Sequence, residues 1–308
     1  MDRALTGDRA LVVGWLARGT LHLTSREDYP WLLALTAPAR LAASRRRLGQ
    51  EGVSVDESER AIAVVERALA AEGPLTRPEL AERMASQGIR TEGQATPHLL
   101  KLAALRGIAV LGPLQAGRQA FALARDWLGA PPSRELTGAD REAALAELAR
   151  RYLRGHGPAT PVDLGAWAGL AIRDARAGLR AIAGELVELE RGLVDLAARD
   201  ATPDRLPPRL LPAFDPYLLG WMDRAFAVPA ERSRRVHPGG GMLRAVATVD
   251  GLAAGTWRAR RRGTTRLAVD LELFSPIGTD DAASLQAECA DVARFDGLAL
   301  AGSETGSE

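Results

Sequence analysis

The side chains most able to do chemistry in this 308-residue chain are arginines. Between positions 232 and 266 stand Arg232, Arg234, Arg235, Arg244, Arg258, Arg260, Arg261, Arg262 and Arg266 against a single acid, Asp250, a net of +8. A guanidinium keeps its charge at any accessible pH and presents a planar fork of donors, which suits phosphate oxygens and stacked bases. The whole chain carries 40 basic and 39 acidic residues, so total charge argues for no partner. The charge is local, because from Ser275 to Glu308 seven acids face Arg294 alone, a net of −6. Lys101 is the only lysine. Arginine-rich, lysine-poor usage also follows from a GC-rich coding sequence, so clustering carries the argument and number does not. Arg45, Arg46 and Arg47 weigh less, since Glu51, Asp56, Glu57 and Glu59 follow closely.

Other chemistries lack their residues. His22, His98, His156 and His237 have no ligand spacing, and neither H-E-x-x-H nor C-x-x-C occurs, so no metal site is expected. There is no Walker loop, G-x-S-x-G elbow or dinucleotide fingerprint, and no cofactor is expected. Cys289 is the single cysteine, which excludes an internal disulfide and fits a reducing, cytoplasmic location. Apolar runs are broken by Arg or Asp before the roughly 20 residues a membrane helix needs, and the start has no secretory signal. With 46% apolar and 26% charged residues the composition is that of a globular protein, long enough for two or more compact units.

An internal repeat shows which elements must carry these groups. Gly73-Pro74-Leu75-Thr76-Arg77-Pro78-Glu79-Leu80 recurs as Gly157-Pro158-Ala159-Thr160-Pro161-Val162-Asp163-Leu164. Each copy has a Thr with an acid three residues on, a capping box that opens a helix. Ile62, Val65 and Leu69 before the first copy, and Leu145, Leu148 and Tyr152 before the second, are spaced for one helical face. Helical runs follow at 94–106 and 173–183. Then come alternating segments: 108–111 with 121–123, and 185–190 with 193–196, the latter turned by Arg191-Gly192. Three helices and a two-stranded hairpin form a winged-helix unit, a helix-turn-helix variant whose third helix can enter a major groove. The polar reach of those third helices is modest: Gln94, His98, Lys101 and Arg106 in one, Arg173, Arg176 and Arg180 in the other.

The expected fold is therefore α+β, tandem winged-helix (helix-turn-helix) units followed by a C-terminal antiparallel β domain. The expected divisions are 1–58, a partial first unit; 59–130, the second; 131–202, the third; and 203–308, the β domain with a closing helix. In the first, 11–16 reads as a helix end, 20–24 as a strand, and Ser25 with Asp28 as the cap of the next helix. Two helices are missing before Leu11, where only ten residues stand, so this unit reads as truncated or late-starting. Prolines 203, 207, 208 and 212 mark the boundary before the β domain. There 242–249, 252–258 and 266–273 read as strands, with Asp250-Gly251 a tight turn and Arg260-Arg261-Arg262 at a hairpin tip. Trp127 and Trp167 read as core.

Three ordered segments, Arg18-Gly19-Thr20-Leu21-His22-Leu23, Leu210 to Gly220 with Phe214-Asp215-Pro216, and Pro238 to Gly241 leading to Asp250-Gly251 and Gly255-Thr256-Trp257, resemble the winged-helix DNA-binding family of AlkZ and YcaQ-like DNA glycosylases. The resemblance implies three winged helices and a β domain enclosing double-stranded DNA, with excision of alkylated bases and unhooking of crosslinks. It also implies a Gln-apolar-Gln/Asp catalytic signature upstream of Arg18, and no such motif stands among residues 1–17; Gln115 and Gln119 belong to another unit. Catalytic residues are unassigned. The candidate DNA contacts are Arg18, His22, Arg234, Arg235, His237, Arg244, Arg258, Arg260, Arg261 and Arg262, in a chain expected to be a monomer. Three readings stay open: a duplex-DNA binder using backbone and shape, a base-excision glycosylase lacking its catalytic start here, and a non-catalytic scaffold.

Overall fold

The computed structural model describes residues 3–115, 117–132, 135–199 and 203–307. Residues 200–202 of the proline-rich boundary and Glu308 of the acidic tail lie outside the described residues. The chain divides into two compact units, Met1–Ala197 and Ala198–Glu308.

After a helical turn at Arg3–Gly7, the first unit forms a hairpin of β1 (Leu11–Trp15) and β2 (Leu21–Ser25), joined by a 3-10 turn at Ala17–Gly19. The helix end expected at 11–16 is thus a strand. Burial alternates along it with period two, and Gly14 in its middle lies directly over the ring of Tyr29, which opens α1 (Tyr29–Gln50). Ser25 Oγ accepts from Asp28 N at 3.1 Å and Trp31 donates to Asp28 Oδ1 at 3.1 Å, fixing where α1 begins.

There follow α2 (Val55–Glu72), β3 (Leu75–Thr76), α3 (Arg77–Ala85), α4 (Ala95–Leu105), β4 (Ala109–Gln115), β5 (Arg118–Leu123) and the short α5 (Ala124–Leu128). Then come α6 (Gly138–His156), α7 (Pro161–Ala168), α8 (Ile172–Ala181) and a hairpin of β6 (Leu186–Glu188) with β7 (Val194–Leu196). Both capping boxes form. The Glu79 carboxylate accepts from the Thr76 amide at 2.7 Å, and that of Asp163 accepts from the Thr160 amide at 2.9 Å. The predicted helical faces are buried: Ile62, Val65 and Leu69 in the first copy, Leu145, Leu148 and Tyr152 in the second. Trp127 is buried, whereas Trp167 is only half-buried. A five-stranded sheet in the order β2-β1-β4-β5-β3 ties the opening hairpin to the first repeat copy through Val13 opposite Leu111.

The second unit contains β8 (Arg209–Leu211), α9 (Pro216–Leu219), α10 (Ser233–Val236), β9 (Val246–Val249), β10 (Leu252–Arg262), β11 (Arg266–Leu273), α11 (Thr279–Phe295) and β12 (Ala299–Ser307). Its sheet runs β12-β11-β10-β9-β8, antiparallel from β8 to β11. Leu285, Cys289 and Ala293 of α11 pack on Leu267, Val269, Leu271 and Leu273. Two features depart from expectation. The strand expected from 242 begins only at Val246, because Met242 N donates to Gly239 O at 3.1 Å and Arg244 N to Val236 O at 3.0 Å, diverting those residues into turns. A fifth strand, β12, adds parallel to β11 through the α11 crossover, the connection a parallel pair requires.

The segments that carry the resemblance meet here. Trp257 Nε1 donates to Leu211 O at 2.7 Å, and the Tyr217 hydroxyl donates to Gly251 O at 2.9 Å.

Close packing under the first hairpin can be tested directly. A Cβ on Gly14 would come within 2.4 Å of Tyr29 Cε2, on a side chain with no exposed surface, whereas one on Gly49 meets nothing within 4 Å. Gly14→Ala is expected to lower unfolding free energy by about 1–3 kcal/mol, and Gly49→Ala to raise it by up to about 1 kcal/mol, as read by urea denaturation.

Candidate nucleic-acid interface

In an antiparallel strand every second side chain shares a face, and directly opposed residues share it too. In β10 this places Arg258, Arg260 and Arg262 on one face, with Arg266, Ala268, Asp270 and Glu272 of β11 opposite them. Arg261 belongs to the other face with Leu267, which packs under α11, and it reaches Asp296 at 3.9 Å. Residues 258–262 and 266 are all exposed. The turn between the strands, at Gly263, has a left-handed φ of 66°.

The same face receives the arginines of the α10 segment. Arg235 lies over the Phe274 ring at 4.6 Å and ion-pairs with Glu272 at 2.5 Å, while Arg232 covers the ring at 5.4 Å. Arg244 donates to the Arg235 carbonyl at 3.2 Å. Arg234 is exposed and His237 half-buried, beside the three positive-φ glycines 239, 240 and 241. Asp270 takes Arg260 at 2.7 Å. Among the described residues Arg232, Arg234, Arg244, Arg258, Arg262 and Arg266 have no carboxylate within ion-pair distance, so most of the local positive charge is uncompensated.

In the first unit the candidates are Arg18 and His22. Arg18 adopts a left-handed φ of 56°, and its guanidinium donates to the Trp167 carbonyl. Arg40 donates to the Gly169 carbonyl at 3.2 Å. Both thus satisfy carbonyls at the C-terminal end of α7, where cations are favoured. Lys101 donates to Gly19 O at 2.7 Å, and burial together with Arg40 holds its pKa down. Burial also lowers that of Arg18. No local spacing in the sequence connects Arg40 or Lys101 with Arg18; the isolated lysine is the one signal it offers. These bonds also decide what α4 can offer. Lys101 turns to Gly19, Arg106 pairs with Glu59, and His98 is half-buried, leaving that helix little free polar reach. On α8, by contrast, Arg173, Arg176 and Arg180 are exposed at helical spacing on one side.

Comparison with known proteins decides the family. The model of the DNA glycosylase AlkZ-like family matches residues 1–295. The chain belongs to the AlkZ-like DNA glycosylase family. The structure is similar to that of Streptomyces sahachiroi DNA glycosylase AlkZ, with a TM-score of 0.76 at 24% identity, over 97% of this chain and 82% of that one. No curated protein matches. Among the described residues no group of three His, Cys, Asp or Glu side chains is arranged to hold a metal ion, and no helix is long and apolar enough to cross a membrane.

Within this AlkZ-like chain, Gln115 donates to Pro74 O at 3.0 Å and so serves the fold. His22 Nδ1 lies 3.0 Å from Thr20 O. Burial pushes the His22 pKa below its ordinary 6.5; the Thr20 bond works against this shift and the Arg18 charge adds to it. The unfolded chain therefore binds more protons between the folded midpoint and 6.5, and His22 contributes stability above that interval that is lost as pH falls through it. NMR titration should place His22 below 6.5, with Arg18→Met raising the midpoint part of the way back because burial remains.

Proposed function

We propose that this AlkZ-like protein binds double-stranded DNA through phosphate and shape contacts, in alkylation or crosslink repair. The observation that carries the reading is the row Arg258, Arg260, Arg262 and Arg266 on one exposed face of β10 and β11, with three of the four free of a carboxylate partner among the described residues. Alternate residues of a strand lie about 7 Å apart, which lets neighbouring guanidinium groups reach successive phosphates of one backbone. Arg234, Arg244 and His237 extend this surface, and His22 offers a separate contact in the first unit, where the Arg18 guanidinium is already held by the Trp167 carbonyl. On this reading the repeat copies are winged-helix units, α8 offers a second cationic surface through Arg176 and Arg180, and recognition is largely independent of base sequence because α4 has spent its polar groups on the fold.

A second reading is favoured by the family match: removal of an alkylated base by glycosidic cleavage. The two separate in one assay series. Duplex bound without release of 7-methylguanine from alkylated DNA supports binding alone, and release supports the enzyme.

Charge removal tests the interface. Arg258→Ala and Arg262→Ala should each weaken duplex binding and reduce the slope of log affinity against log salt by about 1, while Arg261→Ala, on the opposite face, should leave the slope nearly unchanged. Equal effects from all three, or affinity indifferent to salt, would contradict the proposal.

A further inference from the structure

We propose that a cleft in the first unit, between the β1–β2 hairpin, the start of α3, α4 and β5, is a nucleotide site that stacks one unpaired nucleobase on Trp15 and holds its phosphate between Arg77 and Arg118. The identification of the ligand as a nucleotide, rather than another aromatic phosphate, rests on the DNA-binding reading above.

The cleft encloses about 500 Å³, within the range of about 300–1,000 Å³ usual for small-ligand sites. Sheet register explains its apolar wall. Leu21 opposes Trp15, Val13 opposes Leu111, Leu111 opposes Phe121, and Phe121 opposes Leu75, so one sheet face is apolar across every strand. Most of that face is covered by the helices, but Leu21 remains 49% exposed and Trp15 half-buried at the cleft. The Trp15 and Phe121 rings lie 6.2 Å apart and 15° from parallel, with Phe121 buried behind. Trp15 thus offers a flat, supported aromatic surface, the kind on which bases stack without sequence preference.

The rim is polar and cationic. Thr76 pairs with Ala120 across β3 and β5, so Arg77 and Gln119 both leave that rung toward the cleft, with Arg118 adjacent. The Gln119 side-chain amide has no hydrogen-bond partner among the described residues, and its donor and acceptor suit the edge of a base. Among the described residues Arg77 and Arg118 are exposed with no carboxylate in ion-pair distance, unlike Arg83 and Arg106 of the same region, which pair with Glu72 and Glu59. An aliphatic ligand would leave these cations unused, and free phosphate would leave the aromatic wall unused. A planar ring carrying a phosphate uses both.

Calorimetry on the full chain with AMP, adenosine and ribose 5-phosphate tests this. AMP should bind measurably, and each fragment about tenfold more weakly or worse. Arg77→Ala and Arg118→Ala should each weaken AMP about five- to tenfold while leaving adenosine unchanged; Gln119→Leu should weaken AMP and adenosine alike. These side chains lie at the rim, and unchanged melting temperatures verify the fold. A duplex with a one-nucleotide overhang, compared with a blunt one, separates the sources. An overhang advantage lost in Gln119→Leu supports a strand end as occupant, and AMP binding without that advantage supports a free nucleotide. No AMP binding at millimolar concentration, or binding indifferent to both arginine variants, overturns the site. Retained blunt-duplex binding in that case leaves the DNA-binding reading standing, and AMP binding without duplex binding overturns only that reading.

Discussion

Alternation along a paired strand decides where charge can go in the second unit. Leu267, Val269 and Leu271 of β11 must face α11 to be buried, so the residues between them, and their opposites on β10, are forced outward. Arg258, Arg260 and Arg262 therefore share a face that hydrophobic burial on the other side selects. Among the described residues the carboxylates on that face are committed to two of its arginines: Asp270 takes Arg260, and Glu272 takes Arg235. What is left is positive charge held on a rigid hairpin, where repulsion among neighbours is relieved by solvent or by an external polyanion.

The first unit handles its cations differently. Arg18 and Arg40 are spent on carbonyls at the end of α7, and Lys101 on the carbonyl of Gly19. These bonds join the opening hairpin, α1, α4 and the second repeat copy, elements that are far apart in sequence. The cost is that side chains which look like DNA contacts in the sequence do structural work, and burial depresses the charged forms of Arg18, His22 and Lys101. Among the described residues Arg176 and Arg180 on α8, and Arg77 and Arg118 around the cleft beside Trp15, stand without an acid in ion-pair distance, whereas Arg173 lies 4.0 Å from Asp174.

The motifs behind the family resemblance are largely architectural. Arg18-Gly19 forms the 3-10 turn, Asp215 caps α9 by accepting from Tyr217 N at 2.8 Å, and Trp257 binds back to Leu211. Gly255 admits the Glu272 carbonyl, which a Cβ would approach to 2.6 Å. Backbone geometry needs these residues at these places, and so they announce the fold better than the chemistry. The comparisons agree with that division: they establish the AlkZ-like family and fold.

Local signals in the sequence determined the repeat, its capping boxes, its helix faces and the Asp250-Gly251 turn, since each depends on residues a few positions apart. They also located the arginine cluster. They misjudged 11–16, where a six-residue apolar run has no length to distinguish strand from helix end, and they missed β12, whose Ala-, Gly- and Ser-rich segment has no alternation and is held by a parallel neighbour. Tertiary structure alone decided which face each arginine takes, because one step of register sends Arg261 to the opposite side from Arg260. It alone brought Lys101 to Gly19 and Trp15 to Phe121, contacts made across long stretches of chain that no local spacing encodes.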